Sequence, residues 1–120
     1  AVISAVVING TEHPFNSKII RTNKQICDDE LQVFRSAIKN FRRDCARYPK
    51  NGEGTKALII NSGQNNWQGP YVTLIKNDPW GHPYIYELFT NRVVIFSRGP
   101  DGERDTWDDL LQKIGPYIPN

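Results

Sequence analysis

NKQICDDELQVFRSAIKNFRRDCA, residues 23–46, is the stretch that decides the fold. Within it Cys27, Leu31, Phe34, Ile38, Phe41 and Cys45 recur at steps of four, three, four, three and four, which draws one apolar stripe down a helix. Asp28, Asp29, Glu30, Arg35, Lys39, Arg42 and Arg43 fill the other face. The acids come early and the bases late, an order that complements the helix dipole at both ends. Arg47-Tyr48-Pro49 stops the helix, since proline disfavours helical geometry in the residue before it. Upstream, Lys18 to Thr22 extend it, so the expected helix covers about 18–47.

Downstream, Asn51-Gly52-Glu53-Gly54 reads as a turn, and Thr55 to Ile60 as a short helix capped by Thr55. Asn61 to Gln68 is polar loop, within a loop region over 50–82. Tyr84-Ile85-Tyr86-Glu87-Leu88 and Arg92-Val93-Val94-Ile95-Phe96 are rich in aromatic and β-branched side chains, and Phe89-Thr90-Asn91 separates them. That is a hairpin signal. A sheet with its following loop is expected over 83–110, and a tail over 111–120. One amphipathic helix packed on a small antiparallel sheet is an α+β fold.

The 120 residues suffice for one domain and not for two well-buried cores. Hydrophobic residues at 38% and charged residues at 23% argue against disorder. The formal charge of +2 is too small to imply a nucleic-acid partner. Its distribution is uneven: residues 1–50 carry +4 and residues 51–120 carry −2, a polarity that suits head-to-tail packing but whose usual cause is simply solvated faces. The apolar opening from Ala1 to Ile8 falls far short of the roughly 20 residues of a spanning helix. The chain starts at alanine, which leaves open both a processed product and a chain cut from a longer one, with Ala1–Ile8 a remnant in the second case. Cys27 and Cys45 would lie ~27 Å apart on an unbroken helix, beyond the reach of a disulfide. They read as two small buried apolar residues.

Ser97-Arg98-Gly99-Pro100-Asp101-Gly102-Glu103-Arg104-Asp105-Thr106-Trp107-Asp108-Asp109 gathers five carboxylates into nine residues. Such crowding is unfavourable unless water or a cation screens it. Calcium, with six to eight oxygen ligands drawn from carboxylates and main-chain carbonyls, suits the loop. The spacing is not that of an EF-hand, because Thr106 stands where that loop needs glycine and Gln112 where it needs glutamate. Chemistry alone leaves a cation site and a solvated acidic turn both open. A metal-dependent hydrolase is the enzymatic alternative, but its carboxylates usually come from separate elements. No glycine-rich phosphate loop and no Gly-x-Ser-x-Gly elbow accompanies them. His13 and His82 are isolated and read as surface or turn residues, and Cys27 and Cys45 fall on the buried stripe. Trp67, Trp80, Trp107, Tyr48, Tyr71, Tyr84 and Tyr86 could serve as stacking platforms for single-stranded nucleic acid beside the arginine-rich helix. Core packing explains them better, because Tyr84 and Tyr86 alternate as strand residues do.

Three stretches in order resemble the major pseudopilin of bacterial type II secretion, the general secretion pathway protein G family, which is type IV pilin-like. The first is Arg47-Tyr48-Pro49 with Gly54-Thr55-Lys56-Ala57-Leu58. The second is Trp67-Gln68-Gly69-Pro70-Tyr71 followed by Asp78-Pro79-Trp80-Gly81-His82-Pro83-Tyr84-Ile85-Tyr86. The third is Ile95-Phe96-Ser97-Arg98-Gly99-Pro100-Asp101-Gly102, leading to Asp108-Asp109. The resemblance implies a single non-enzymatic pseudopilin domain over residues 1–120, lacking its upstream membrane helix. It implies an inner-membrane anchor in a Gram-negative bacterium and trimming and methylation by a prepilin peptidase. It further implies self-association, with other pseudopilins and secretion components, into a periplasmic filament that helps export folded proteins. For the loop it implies a structural calcium ion held by Asp101, Asp108 and Asp109 and by the main-chain oxygen of Arg98. Glu103 and Asp105, in the variable middle of the loop, could add to this set but are not expected ligands.

Overall fold

Thr22 starts the long helix. Its hydroxyl accepts the Gln25 backbone N–H at 3.1 Å, and the Gln25 side chain accepts the Thr22 N–H at 2.9 Å, a reciprocal capping box. The computed structural model describes residues 21–90, 92–102 and 110–115. Within them the helix, α1, runs Asn23–Cys45. It begins at the capping box, so the expected extension fails at Arg21 and Thr22, while Lys18 to Ile20 lie outside the described residues. It ends on Ala46, whose left-handed conformation (φ 63°) lets its N–H bond Arg42 O, ahead of the expected stop at Arg47-Tyr48-Pro49. The dipole reading holds at one end only. Arg42 and Arg43 sit in the last turn, but the first turn carries no acid, and Asp28 pairs with Lys24 one turn further in.

The apolar stripe is buried as its spacing predicts: Cys27, Leu31, Phe34, Ile38 and Phe41 are in the core, joined by Ala37, while Cys45 packs at its margin. Both cysteines are free thiols. The residue 53–60 region differs from expectation. A 3-10 turn runs Gly54–Leu58 with Glu53 ahead of it, and no side-chain cap bond forms there. Its anchor is the Glu53 carboxylate. Arg47 donates to both its oxygens at 2.9 and 3.1 Å, the Lys50 backbone N–H at 2.8 Å, and the Ser62 hydroxyl at 2.6 Å.

Mainly the Arg47 guanidinium, aided by the Ser62 and Lys50 donors, holds the Glu53 carboxyl down at about 2 against burial. Its folded value lies below its ordinary one, so this stabilisation is complete above about pH 4.5 and is lost as pH falls toward 2. Glu53→Gln is expected to cost about 1–2 kcal/mol at pH 7, the site being partly wet, and little at pH 2. Urea unfolding at the two pH values tests it; an equal loss at both would exclude the ion pair as the cause.

The hairpin is present: β1 (Ile85–Leu88) pairs antiparallel with β2 (Val93–Phe96), Ile85 facing Phe96 and Leu88 facing Val93. A third strand, β3 (Leu111–Ile114), lies antiparallel on the other side of β2, where a tail was expected. Val93 and Ile95 of the central strand and Ile114 of β3 close the core against α1. Arg35 Nη1 ties helix to sheet by donating to Lys113 O at 2.7 Å. The edge of β1 is covered by Asn51, whose side chain accepts from Leu88 N at 2.8 Å and donates to Leu88 O at 3.0 Å, as a neighbouring strand would. No helix among the described residues is long and apolar enough to cross a membrane.

Candidate functional site

The acidic loop hangs from the end of β2. Ser97, the next residue, is buried, and its backbone N–H donates to Leu110 O at 3.1 Å. That bond joins the residues that flank the 98–109 segment, so the stretch of sequence carrying the five carboxylates is tied at both ends. At the loop's root Gly99-Pro100-Asp101-Gly102 forms a turn, with Gly102 N–H donating to Gly99 O at 3.2 Å. Proline second and glycine fourth fit a type I turn. Gly102 has φ 70°, and a Cβ there would meet the His82 ring at 3.1 Å, so both the conformation and the close approach call for glycine.

Beneath this root lies a buried carboxylate. Asp78 is 4% exposed. Its Oδ1 accepts the backbone N–H groups of Trp80 at 3.0 Å and His82 at 2.9 Å, and its Oδ2 accepts the Ser97 hydroxyl at 2.6 Å. The Ser97 oxygen in turn accepts Gly99 N–H at 2.9 Å. The Asp78 backbone closes its own turn, donating to His82 O at 2.8 Å and accepting from Gly81 N at 2.9 Å. Two segments nineteen residues apart are thus joined through side chains at the loop's base. The sequence marked Asp78 and Ser97 only as parts of motifs. The Asp78-Pro79-Trp80-Gly81 turn signature, in which an aspartate side chain bonds the backbone two residues on, was the signal that could have singled out Asp78.

Of the expected calcium ligands, Arg98 and Asp101 are described. Arg98 leaves the sheet at the loop's start, and Asp101 sits exposed in the Gly99–Gly102 turn. Asp108, Asp109, Glu103 and Asp105 lie outside the described residues, as does Trp107. Among the described residues no three His, Cys, Asp or Glu side chains are grouped to hold a metal ion. The part that is described fits a hard cation by its chemistry: a main-chain carbonyl and a carboxylate, three residues apart, at a closed turn.

The competing chemistries find no support in the geometry. Burial pushes both the Cys27 and the Cys45 thiol up, opposite to what a nucleophile needs. Trp67, Tyr71, Trp80, Tyr84 and Tyr86 pack against the core, as expected of them, and Trp67 Nε1 donates to Ala57 O at 2.9 Å. Elsewhere a groove of about 370 Å³ opens between α1 and residues 72–76, lined by Val33, Phe34, Val72, Leu74 and Tyr84. Glu30 bridges its floor, accepting the Tyr84 hydroxyl and pairing with Lys76 at 2.9 Å.

An amphipathic helix packed on a three-stranded antiparallel sheet is the architecture of a pilin-like module. The family model for type II secretion system (T2SS) protein G matches residues 16–114. The chain belongs to that family, whose members are structural, non-enzymatic pseudopilins, and the hydrolase alternative falls with this result. It is similar to the type II secretion system core protein G of Klebsiella pneumoniae, 29% identical over 99 residues, covering 75% of this chain and 69% of the relative. The core protein G of Dickeya chrysanthemi is 29% identical over 97 residues, covering 75% and 63%. Matches to these relatives thus span about two thirds of their length. The fold is similar to the crystal structure of the major pseudopilin of the type 2 secretion system of enterohaemorrhagic Escherichia coli. That match has a TM-score of 0.59 and 25% identity and covers 87% of this chain and 96% of that one.

Proposed function

We propose that this chain is a periplasmic, membrane-anchored subunit of the type II secretion pseudopilus, and that one structural calcium ion closes its 98–109 loop. The observation that carries the calcium reading is the Ser97–Leu110 bond. It ties both ends of a segment whose five carboxylates outnumber its two arginines, Arg98 and Arg104, an excess of negative charge that a divalent cation would neutralise. Asp101, Asp108 and Asp109 with the Arg98 carbonyl would hold the ion. The ion would supply charge neutralisation and a fixed loop shape and no reaction. The filament partner is a second copy of the chain, with other pseudopilins of the same system. The excess of positive charge in residues 1–50 and of negative charge in residues 51–120 supports head-to-tail association, a heterologous contact that builds an open filament when its rotation does not close a ring.

Calcium chloride at about a hundred times its dissociation constant is expected to stabilise the chain by about 2.7 kcal/mol. That corresponds to a rise in melting temperature on the order of 10 °C, reversed by a chelator. Asp101→Ala should remove most of the rise. Identical melting curves with calcium and with chelator would sink the calcium reading and leave the family assignment untouched.

A further inference from the structure

We infer that Ser97 and Asp78 are positioning residues for the calcium loop, acting by aiming the Arg98 main-chain oxygen. This inference rests on the calcium reading of that loop. The direction of each hydrogen bond follows from what each group can do. The single Ser97 hydroxyl proton goes to Asp78 Oδ2, at 2.6 Å. The Ser97 oxygen is then left with lone pairs, and Gly99 N–H fills one of them at 2.9 Å. Gly99 N–H belongs to the same peptide unit as the Arg98 carbonyl. That unit is planar and trans, the one cis bond among the described residues being Gly69–Pro70. In a trans peptide the N–H and C=O point in opposite directions. Drawing Gly99 N–H down onto Ser97 Oγ therefore turns the Arg98 oxygen away from the buried serine.

The other face of the same link is as well fixed. Asp78 cannot swing toward solvent, because Trp80 N–H and His82 N–H hold its second oxygen and its surface is 4% exposed. Gly99 O then takes Gly102 N–H, which carries the orientation one step further to the turn bearing Asp101. An oxygen donor whose direction is set before the ion arrives loses less freedom on binding, and outer-shell partners of this kind tune metal affinity by about 10–100-fold.

Calorimetric titration of the full chain with calcium chloride tests this. Ser97→Ala removes the link and is expected to weaken calcium binding about tenfold, whereas Ser97→Thr keeps the hydroxyl and should restore affinity to within about threefold of the parent. Tyr71→Phe removes a hydrogen bond to Asp44, at 2.8 Å, in a different network. It should lower the calcium-free melting temperature while leaving calcium affinity unchanged, so loss of stability alone does not imitate the effect. If the parent binds calcium and Ser97→Ala stays within about threefold of it, the positioning role is overturned. A threonine variant as weak as the alanine variant overturns it as well. If the parent itself gives no binding heat, the calcium reading falls and takes this inference with it. Should Ser97→Ala fail to fold, Asp78→Asn carries the same test: it keeps the acceptor for Trp80 and His82 and removes the acceptor for Ser97.

Discussion

Phe41→Ala is expected to lower the unfolding free energy by about 3–5 kcal/mol, a large part of the 5–15 kcal/mol that holds a domain of this size. Phe41 is fully buried on α1. Its ring meets Tyr71 edge-on with centroids 5.9 Å apart, and the Arg47 guanidinium lies 5.5 Å from its centre. Removing the ring leaves a cavity bounded by helix and loop, and neither can collapse freely. The Ala46 cap holds the end of the helix, and the Arg47–Glu53 pair holds the chain just beyond it. The loss should therefore exceed the transfer term alone. Val33→Ala is the matched control: Val33 is on the same helix but 57% exposed, and its truncation should change stability by less than about 0.5 kcal/mol. Urea midpoints for the two variants, with unchanged slopes, measure this. A Phe41→Ala loss below about 1 kcal/mol would mean that this end of the helix is not packed as described.

The same stripe shows why much of the fold was legible. A helix with apolar residues at four-three steps has one way to face a core, and the hairpin carries its own β-branched signal. β3 was not legible because Leu111-Gln112-Lys113-Ile114 has no alternation; only its end residues are apolar. Its strand conformation comes from a distant partner, the free edge of β2, where Phe96 faces Leu111 and Val93 faces Ile114. The helix start was missed for a different reason. Thr22-Asn23-Lys24-Gln25 carries the capping signature, but nothing in Lys18 to Arg21 forbids helix, and a cap outweighs propensity only when its bonds form. At the candidate site the carboxylates of the loop were plain in the sequence, whereas the role of Asp78 was not. Its partner Ser97 lies nineteen residues away, and only the hairpin between them brings the two together.

That long-range bond makes Asp78→Ala the second large effect, expected to destabilise the chain by about 3 kcal/mol. The side chain buries a charge, which is tolerated only when its oxygens are satisfied, and here three donors converge on it. Truncation removes the acceptor for Trp80 N–H, His82 N–H and the Ser97 hydroxyl at once. Unsatisfied groups of this kind typically cost about 1–3 kcal/mol each, less where water can enter, and the half-buried Trp80–His82 turn admits some. Asp78→Asn separates the contributions. Its oxygen can still take both backbone N–H groups, while its amide faces Ser97, whose oxygen can accept but whose proton is left without a partner. The expected loss is about 1 kcal/mol, the worth of one hydrogen bond. Chemical unfolding in the presence of a chelator keeps calcium out of the comparison. If the two variants lost equal stability, the turn of residues 78–82 would not depend on Oδ1. If neither lost any, Asp78 would not hold the base of the loop.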